Sequence, residues 1–189
     1  MVAETLAERL ISTEIASLLI TDSFPALANS TAGMAKFDVL RDLIDSNLNR
    51  ATAVMSVQVG STAESTVDAT PRKIAAWNVD GVAVNMTVDS TTDNDITADV
   101  GGTFIIMISV SFSGSSSKSY QLEIFKNGVA TGFSADRKLG SGGDVGSISI
   151  HGVLTLVATD TVELYQSSTD GGSAMTITEG QMVISRGGP

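Results

Sequence analysis

From Ala53 onward the apolar residues fall on alternate positions, and this period of two constrains the fold more than any other feature of the chain. Ala53, Met55, Val57 and Val59 alternate with smaller or polar residues, and Phe104, Ile106, Ile108, Val110 and Phe112 do so again. Side chains of an extended chain point to opposite faces in turn, so such a pattern buries one face of a sheet. The pattern predicts strands over Lys73–Trp77, Val82–Val88, Ile96–Ala98, Thr103–Phe112, Tyr120–Lys126, Gly146–Val157, Thr161–Gln166, Met175–Thr178 and Gln181–Ser185. Between them lie turns rich in Gly, Asp and Asn: Asp80-Gly81, Asp93-Asn94-Asp95, Asn127-Gly128, Gly140 to Gly143 and Asp170-Gly171-Gly172. Many strands with such punctuation and no helical spacers indicate a sandwich rather than a parallel α/β sheet. The stretch from Gly60 to Thr70 is Ser, Thr and acid with little apolar content, and reads as a linker or exposed loop.

The first fifty residues follow a different period. Leu6, Leu10, Ile11, Ile15, Leu18 and Leu19 recur at three- and four-residue steps, which predicts helix over 3–19, in one piece or broken at Ser12-Thr13. Ser23-Phe24-Pro25 ends it, and Phe37, Leu40, Leu43, Ile44 and Leu48 form the stripe of a second helix. The stripes can pack on the β domain of the same chain, or pair between chains and dock onto a host structure. The reading is therefore a mainly β protein: a short α-helical N-terminal arm over 1–50, a strand and linker over 51–70, and an antiparallel β-sandwich over 71–189.

Charge and composition exclude several functions. The formal net charge of −10 opposes sequence-independent nucleic-acid binding, which requires Lys and Arg to displace counterions from phosphates. The richest apolar run, Phe104 to Val110, is too short to span a bilayer, so no membrane insertion is expected. Cysteine is absent, which removes thiolate metal sites and cysteine nucleophiles and suggests assembly in a reducing cytoplasm or stability from oligomerisation.

Residues that could carry chemistry are few. The single histidine, His151, sits in the alternating run Ile148 to Val153 with no nucleophile motif around it, and reads as an ordinary strand position. Asp89, Asp93, Asp95 and Asp99, with Asn94, could offer oxygen ligands to calcium, but they lack the EF-hand spacing and read as a solvated loop. Gly101-Gly102 and Gly140-Ser141-Gly142-Gly143 lack the endings of phosphate-binding loops. Trp77, Tyr120 and Tyr165 could grip a sugar ring if exposed, and otherwise fill the core or an oligomer axis. No catalytic, cofactor-binding or metal residue is assigned, no cofactor is called for, and no enzyme activity is expected.

Over about residues 71–186 the order of features resembles the jelly roll shared by tumour necrosis factor and the globular heads of complement-type proteins. The residues that carry the likeness are Trp77, Gly102-Thr103-Phe104, Phe125-Lys126-Asn127-Gly128, the run Leu156 to Leu164 with its Asp160-Thr161-Val162 step, and Met182-Val183-Ile184-Ser185. Two positions depart from the pattern. Thr103 intervenes between Gly102 and Phe104, and Thr159 stands where a Gly commonly precedes Asp160. The resemblance implies a jelly-roll β-sandwich and a homotrimer. Apolar residues on both sides of the strand, with Ile105 and Met107 opposite Phe104, Ile106 and Ile108, agree with a central strand that also faces a neighbouring subunit.

The run Ile15 to Asp22, a polar turn and Met34 to Leu40 resembles the start of many bacteriophage fibre and virion proteins, and under that likeness Leu18–Thr21 is a strand rather than helix. The two resemblances together imply a structural bacteriophage virion protein: a trimeric capsid decoration or head-fibre protein, docked to capsid or tail proteins by its arm. It would be assembled in the host cytoplasm and exposed on the virion surface. The alternative they imply is a tail-fibre or receptor-binding protein that recognises a host surface glycan or protein.

Overall fold

The computed structural model describes residues 50–58, 62–142, 144–170 and 173–187. The chain divides into two units, Met1–Leu48 and Asn49–Pro189, and every described element belongs to the second. The helices expected over 3–19 and 37–48, and the alternative strand at 18–21, lie outside the described residues.

In chain order the strands are β1 (Thr52–Val57), β2 (Thr62–Val67), β3 (Arg72–Lys73), β4 (Val79–Val84), β5 (Met86–Asp89) and β6 (Asp95–Ala98), then β7 (Gly102–Gly114), β8 (Ser119–Lys126), β9 (Val129–Lys138), β10 (Val145–Leu156), β11 (Thr161–Ser167) and β12 (Ser173–Arg186). They form two six-stranded sheets. Sheet A runs β10-β7-β12-β1-β4, with β2 also paired to β12; sheet B runs β5-β6-β11-β8-β9, with β3 paired to β11. Every pairing is antiparallel. Neighbours in each sheet are mostly distant in sequence, the mark of a sandwich wound by crossovers rather than by simple hairpins.

The alternation read from the sequence places the core. Phe104, Ile106, Ile108, Val110 and Phe112 of β7 are all buried, as are Ile148 and Ile150 of β10 and Met182 and Ile184 of β12. Sheet B answers with Leu122 and Ile124 of β8 and Val162 and Leu164 of β11. Each such side chain contributes roughly 1.5–3 kcal/mol when taken fully out of water. Tyr120 meets Phe112 edge-on at 5.3 Å and 65°, and its hydroxyl accepts the Ser115 N–H at 2.7 Å.

Two turns behave as their sequences predict. Asn127 (φ 52°) and Gly128 (φ 73°) both take the left-handed conformation that a tight hairpin between β8 and β9 requires. Asp160 uses its carboxylate to accept the Val157 N–H at 2.7 Å, closing the turn ahead of β11.

Several boundaries differ from the sequence reading. The stretch 60–70, expected to be linker or loop, contains β2, which pairs with β12 through register Thr62↔Ile177. Backbone pairing asks no apolar side chains of β2, so periodicity could not reveal it. Of the strand expected over Lys73–Trp77 only Lys73 lies in a paired strand, as the second residue of β3; Ile74 to Trp77 carries the chain across from sheet B, and the Asn78 N–H then donates to the Ser56 carbonyl of sheet A. Val82–Val88 is two strands in different sheets, broken at Asn85, whose φ is 51°. Strand β9 was absent from the sequence reading because its alternation is carried by Phe133 and Ala135 with Thr, Gly and Ser between. The two strands expected at 175–178 and 181–185 are one, β12, with an irregularity between Ile177 and Glu179.

Candidate functional site

The outer face of sheet A follows from the second set of alternating positions. Strand β7 turns Thr103, Ile105, Met107, Ser109, Ser111 and Ser113 away from the core, and β10 turns out Val145, Ser147, Ser149, His151, Val153 and Thr155. The register sets Ile105 beside Val153 and Met107 beside His151 on one flank. On the other flank Met107 pairs with Val183 of β12, and Val183 with Val54 of β1. Ile105 is 42% exposed, Met107 39% and Val153 57%, so large apolar side chains meet solvent on the outer face of sheet A.

Further along the same strands the face turns polar. Ser109 pairs with Ser149 and with Gln181, and Gln181 with Ser56. The Ser109 and Ser149 hydroxyls lie 3.1 Å apart. Beside them is an open groove of about 440 Å³ lined by Ser56, Val57, Gln58, Ser109, Ser111, Glu179, Gly180 and Gln181. Among the outward residues of β10, β7, β1 and the described side chains of β12 up to Ser185, only His151 and Glu179 are ionisable.

Sheet B has the opposite outer surface. Lys73, Asp95, Glu123, Glu163, Asp136 and Lys138 stand on it. Lys73 Nζ lies 3.2 Å from Asp95 and 3.4 Å from Glu163, and donates to the Asp93 carbonyl at 2.7 Å. Burial opposes the lysine charge, yet the hydrogen bond to Asp95 and the fields of Glu163 and Asp95 outweigh it and raise the Lys73 pKa. At the end of β8, Lys126 meets Asp160 at 2.8 Å.

The residues singled out from sequence are scattered rather than convergent. His151 is exposed on β10 beside Met107. The acidic loop does not gather its oxygens: Asp89 accepts the Thr91 and Thr92 N–H groups, Asp95 is held by Lys73, and Asp99 accepts the Thr87 hydroxyl. Among the described residues no three His, Asp or Glu side chains come together as they would around a metal ion. Trp77 and Tyr120 are buried in the core, while Tyr165 is half-buried on sheet B, stacked on Phe125 at 3.8 Å. The groove residues escaped sequence reasoning, since Ser, Gln and Glu on a strand look like ordinary solvated positions until the register sets β1, β7 and β12 side by side.

Among solved structures, the chain is similar to Eiger TNF from S. frugiperda, with a TM-score of 0.56 and 12% sequence identity, covering 73% of this chain and 92% of that one. The fold is a tumour-necrosis-factor-like jelly roll. This agrees with the likeness carried by the spaced pattern from Trp77 to Ser185. No family model matches the sequence, and no curated protein matches it.

Proposed function

We propose that the protein is a homotrimeric display module of a bacteriophage particle, a capsid decoration or head-fibre protein. In this reading residues 1–50 dock to other virion proteins and the jelly roll projects from the surface. The observation that carries the oligomeric part is the outer face of sheet A. A chain of net charge −10 repels its own copies, so copies can meet closely only where carboxylates are sparse. The rows through Ile105 and Met107 offer apolar side chains flanked by hydroxyls and no acid, whereas the face of sheet B is studded with charge. Contiguous exposed apolar surface of this kind is what subunit contacts cover. The bacteriophage setting rests on the sequence likeness of the first fifty residues to virion proteins. The chemistry asked of such a protein is adhesion alone, and no enzymatic role is proposed.

Light scattering on the full chain should report three times the 19.5 kDa chain mass. Met107→Glu, which places a carboxylate in each copy's apolar row, should shift the mass to 19.5 kDa without loss of folding. A monomeric parent protein would remove the trimer. Gold-labelled antibody on particles tests the setting: label over the head supports decoration, label at the tail tip moves the role to host recognition, and unlabelled particles defeat the virion reading.

A further inference from the structure

The hairpin that joins β8 to β9 carries the only Asn-Gly step in the sequence, Asn127-Gly128. That dipeptide is the one most prone to modify itself, because glycine has no side chain to keep its peptide nitrogen away from the asparagine carboxamide. The nitrogen attacks Cγ, an N–Cγ bond forms, the Cγ–Nδ2 bond breaks, and Nδ2 leaves as ammonia with the proton that the nitrogen gives up. Water then opens the resulting succinimide at either carbonyl, to aspartate or to isoaspartate. Nothing shields the step sterically. Both residues are exposed, and a β-carbon on Gly128 would meet no atom within 4 Å.

The atoms that must move are held by hydrogen bonds instead. Asn127 Nδ2 donates to Asp160 Oδ1 at 2.7 Å, and its Oδ1 accepts the Thr161 N–H at 2.8 Å and the Thr161 hydroxyl at 3.3 Å. The nucleophile is engaged as well, the Gly128 N–H donating to Glu163 Oε2 at 2.9 Å. The frame that does this is itself fixed: Asp160 and Glu163 are 7% and 5% exposed, and ion pairs tie them to Lys126 and Lys73. We propose that Asn127-Gly128 is a deamidation site held shut by Asp160 and the start of β11. Cyclisation requires the carboxamide to leave Asp160 and Thr161 and swing onto the Gly128 nitrogen, so the site reacts only when the hairpin parts from β11. The reaction runs one way. Aspartate at this position sets a second carboxylate against Asp160 where a donor stood, and isoaspartate adds a methylene to the backbone of a tight turn. Neither product restores the bonds, so a modified turn records that the hairpin has opened. The inference rests on the hairpin alone, and on neither the trimer nor the particle.

The test incubates the full chain at mildly alkaline pH, folded and in urea, and follows Asn127 by peptide mass mapping and enzymatic methylation of isoaspartate. The folded chain should convert at least ~100-fold more slowly than the unfolded one, the bonds to Asp160 and to Glu163 each accounting for about tenfold. Asp160→Ala and Glu163→Ala should each raise the rate in the folded state ~10-fold, with circular dichroism and the emission of the single tryptophan, Trp77, showing that the fold persists. Thr161→Val removes only the hydroxyl and serves where either of those variants fails to fold; it should raise the rate by a smaller factor. Conversion as fast in the folded chain as in urea would overturn the proposal, and would make Glu163 a base that activates the nitrogen rather than a partner that holds it. Folded variants that all keep the parental rate would overturn it equally.

Discussion

Thr159 takes φ of 75°, a left-handed backbone that a β-branched side chain adopts only at a cost. It is the position where the resembling jelly rolls commonly place Gly. The conformation is imposed from both sides. The Thr159 N–H donates to the Ala98 carbonyl at 2.7 Å and the next residue, Asp160, donates to Val157 and accepts from Ala98. Thr159→Gly should therefore stabilise the protein by ~1 kcal/mol, the relief of strain exceeding the added freedom of the unfolded chain. A urea midpoint that falls on this substitution would show the turn unstrained. Asp160 itself is held by Lys126 first, then by the Val157 N–H and the Asn127 amide, and its pKa drops from 3.8 to about 2. A depressed carboxylate lends stability that is complete above its unfolded value and disappears as pH falls through its folded one. The loss should fall between about pH 4 and pH 2 and amount to ~1–2 kcal/mol, the hydrogen bonds to the charge being the source. Asp160→Asn should flatten that part of the acid-unfolding curve followed by circular dichroism.

At the scale of elements, β10 keeps two glycines at inward positions, where its neighbours would otherwise carry isoleucine. A β-carbon on Gly152 would sit 2.8 Å from Phe133 Cδ2 of β9, and one on Gly146 would sit 2.7 Å from Leu139 Cδ2. Strand β9 and the residue that follows it thus fold Phe133 and Leu139 over β10, and the glycines make the room. Gly152→Ala should cost ~1–3 kcal/mol by overpacking against the ring. Combining it with Phe133→Ala should cost less than the two changes summed, because the second removes the clash created by the first; strict additivity in denaturant titrations would refute the contact. Strands whose side chains alternate clearly, β7, β8, β10 and β11, were legible in the sequence. Strands β2 and β9 were not, because one pairs by its backbone and the other sets only Phe133 and Ala135 inward among Thr, Gly, Ser and charged residues. The break at Asn85 was hidden as well, since Val82 to Val88 alternates without interruption while the chain changes sheet.

For the whole molecule, residues 50–187 supply every described strand and the described buried cluster, from Ala51 to Ile184. Deleting 1–50 should leave a folded domain that assembles as the full chain does and abolish attachment to particles. Truncated protein that still decorates particles would end the docking role of the arm. The amino-acid sequence by itself determined the β-sandwich class of the described domain, the inward faces of β7, β8, β10 and β11, the Asn127-Gly128 hairpin and the absence of cysteine chemistry, because these depend on composition, on local conformational preference and on the period of apolar residues. Only the tertiary structure decided which strands lie side by side. That pairing joins residues far apart in the chain, Val54 to Val183 and Val183 to Met107. It alone turns scattered valines into an exposed apolar row, and lone serines and glutamines into a groove, since a surface is made by register and register is fixed by the packing of both sheets at once.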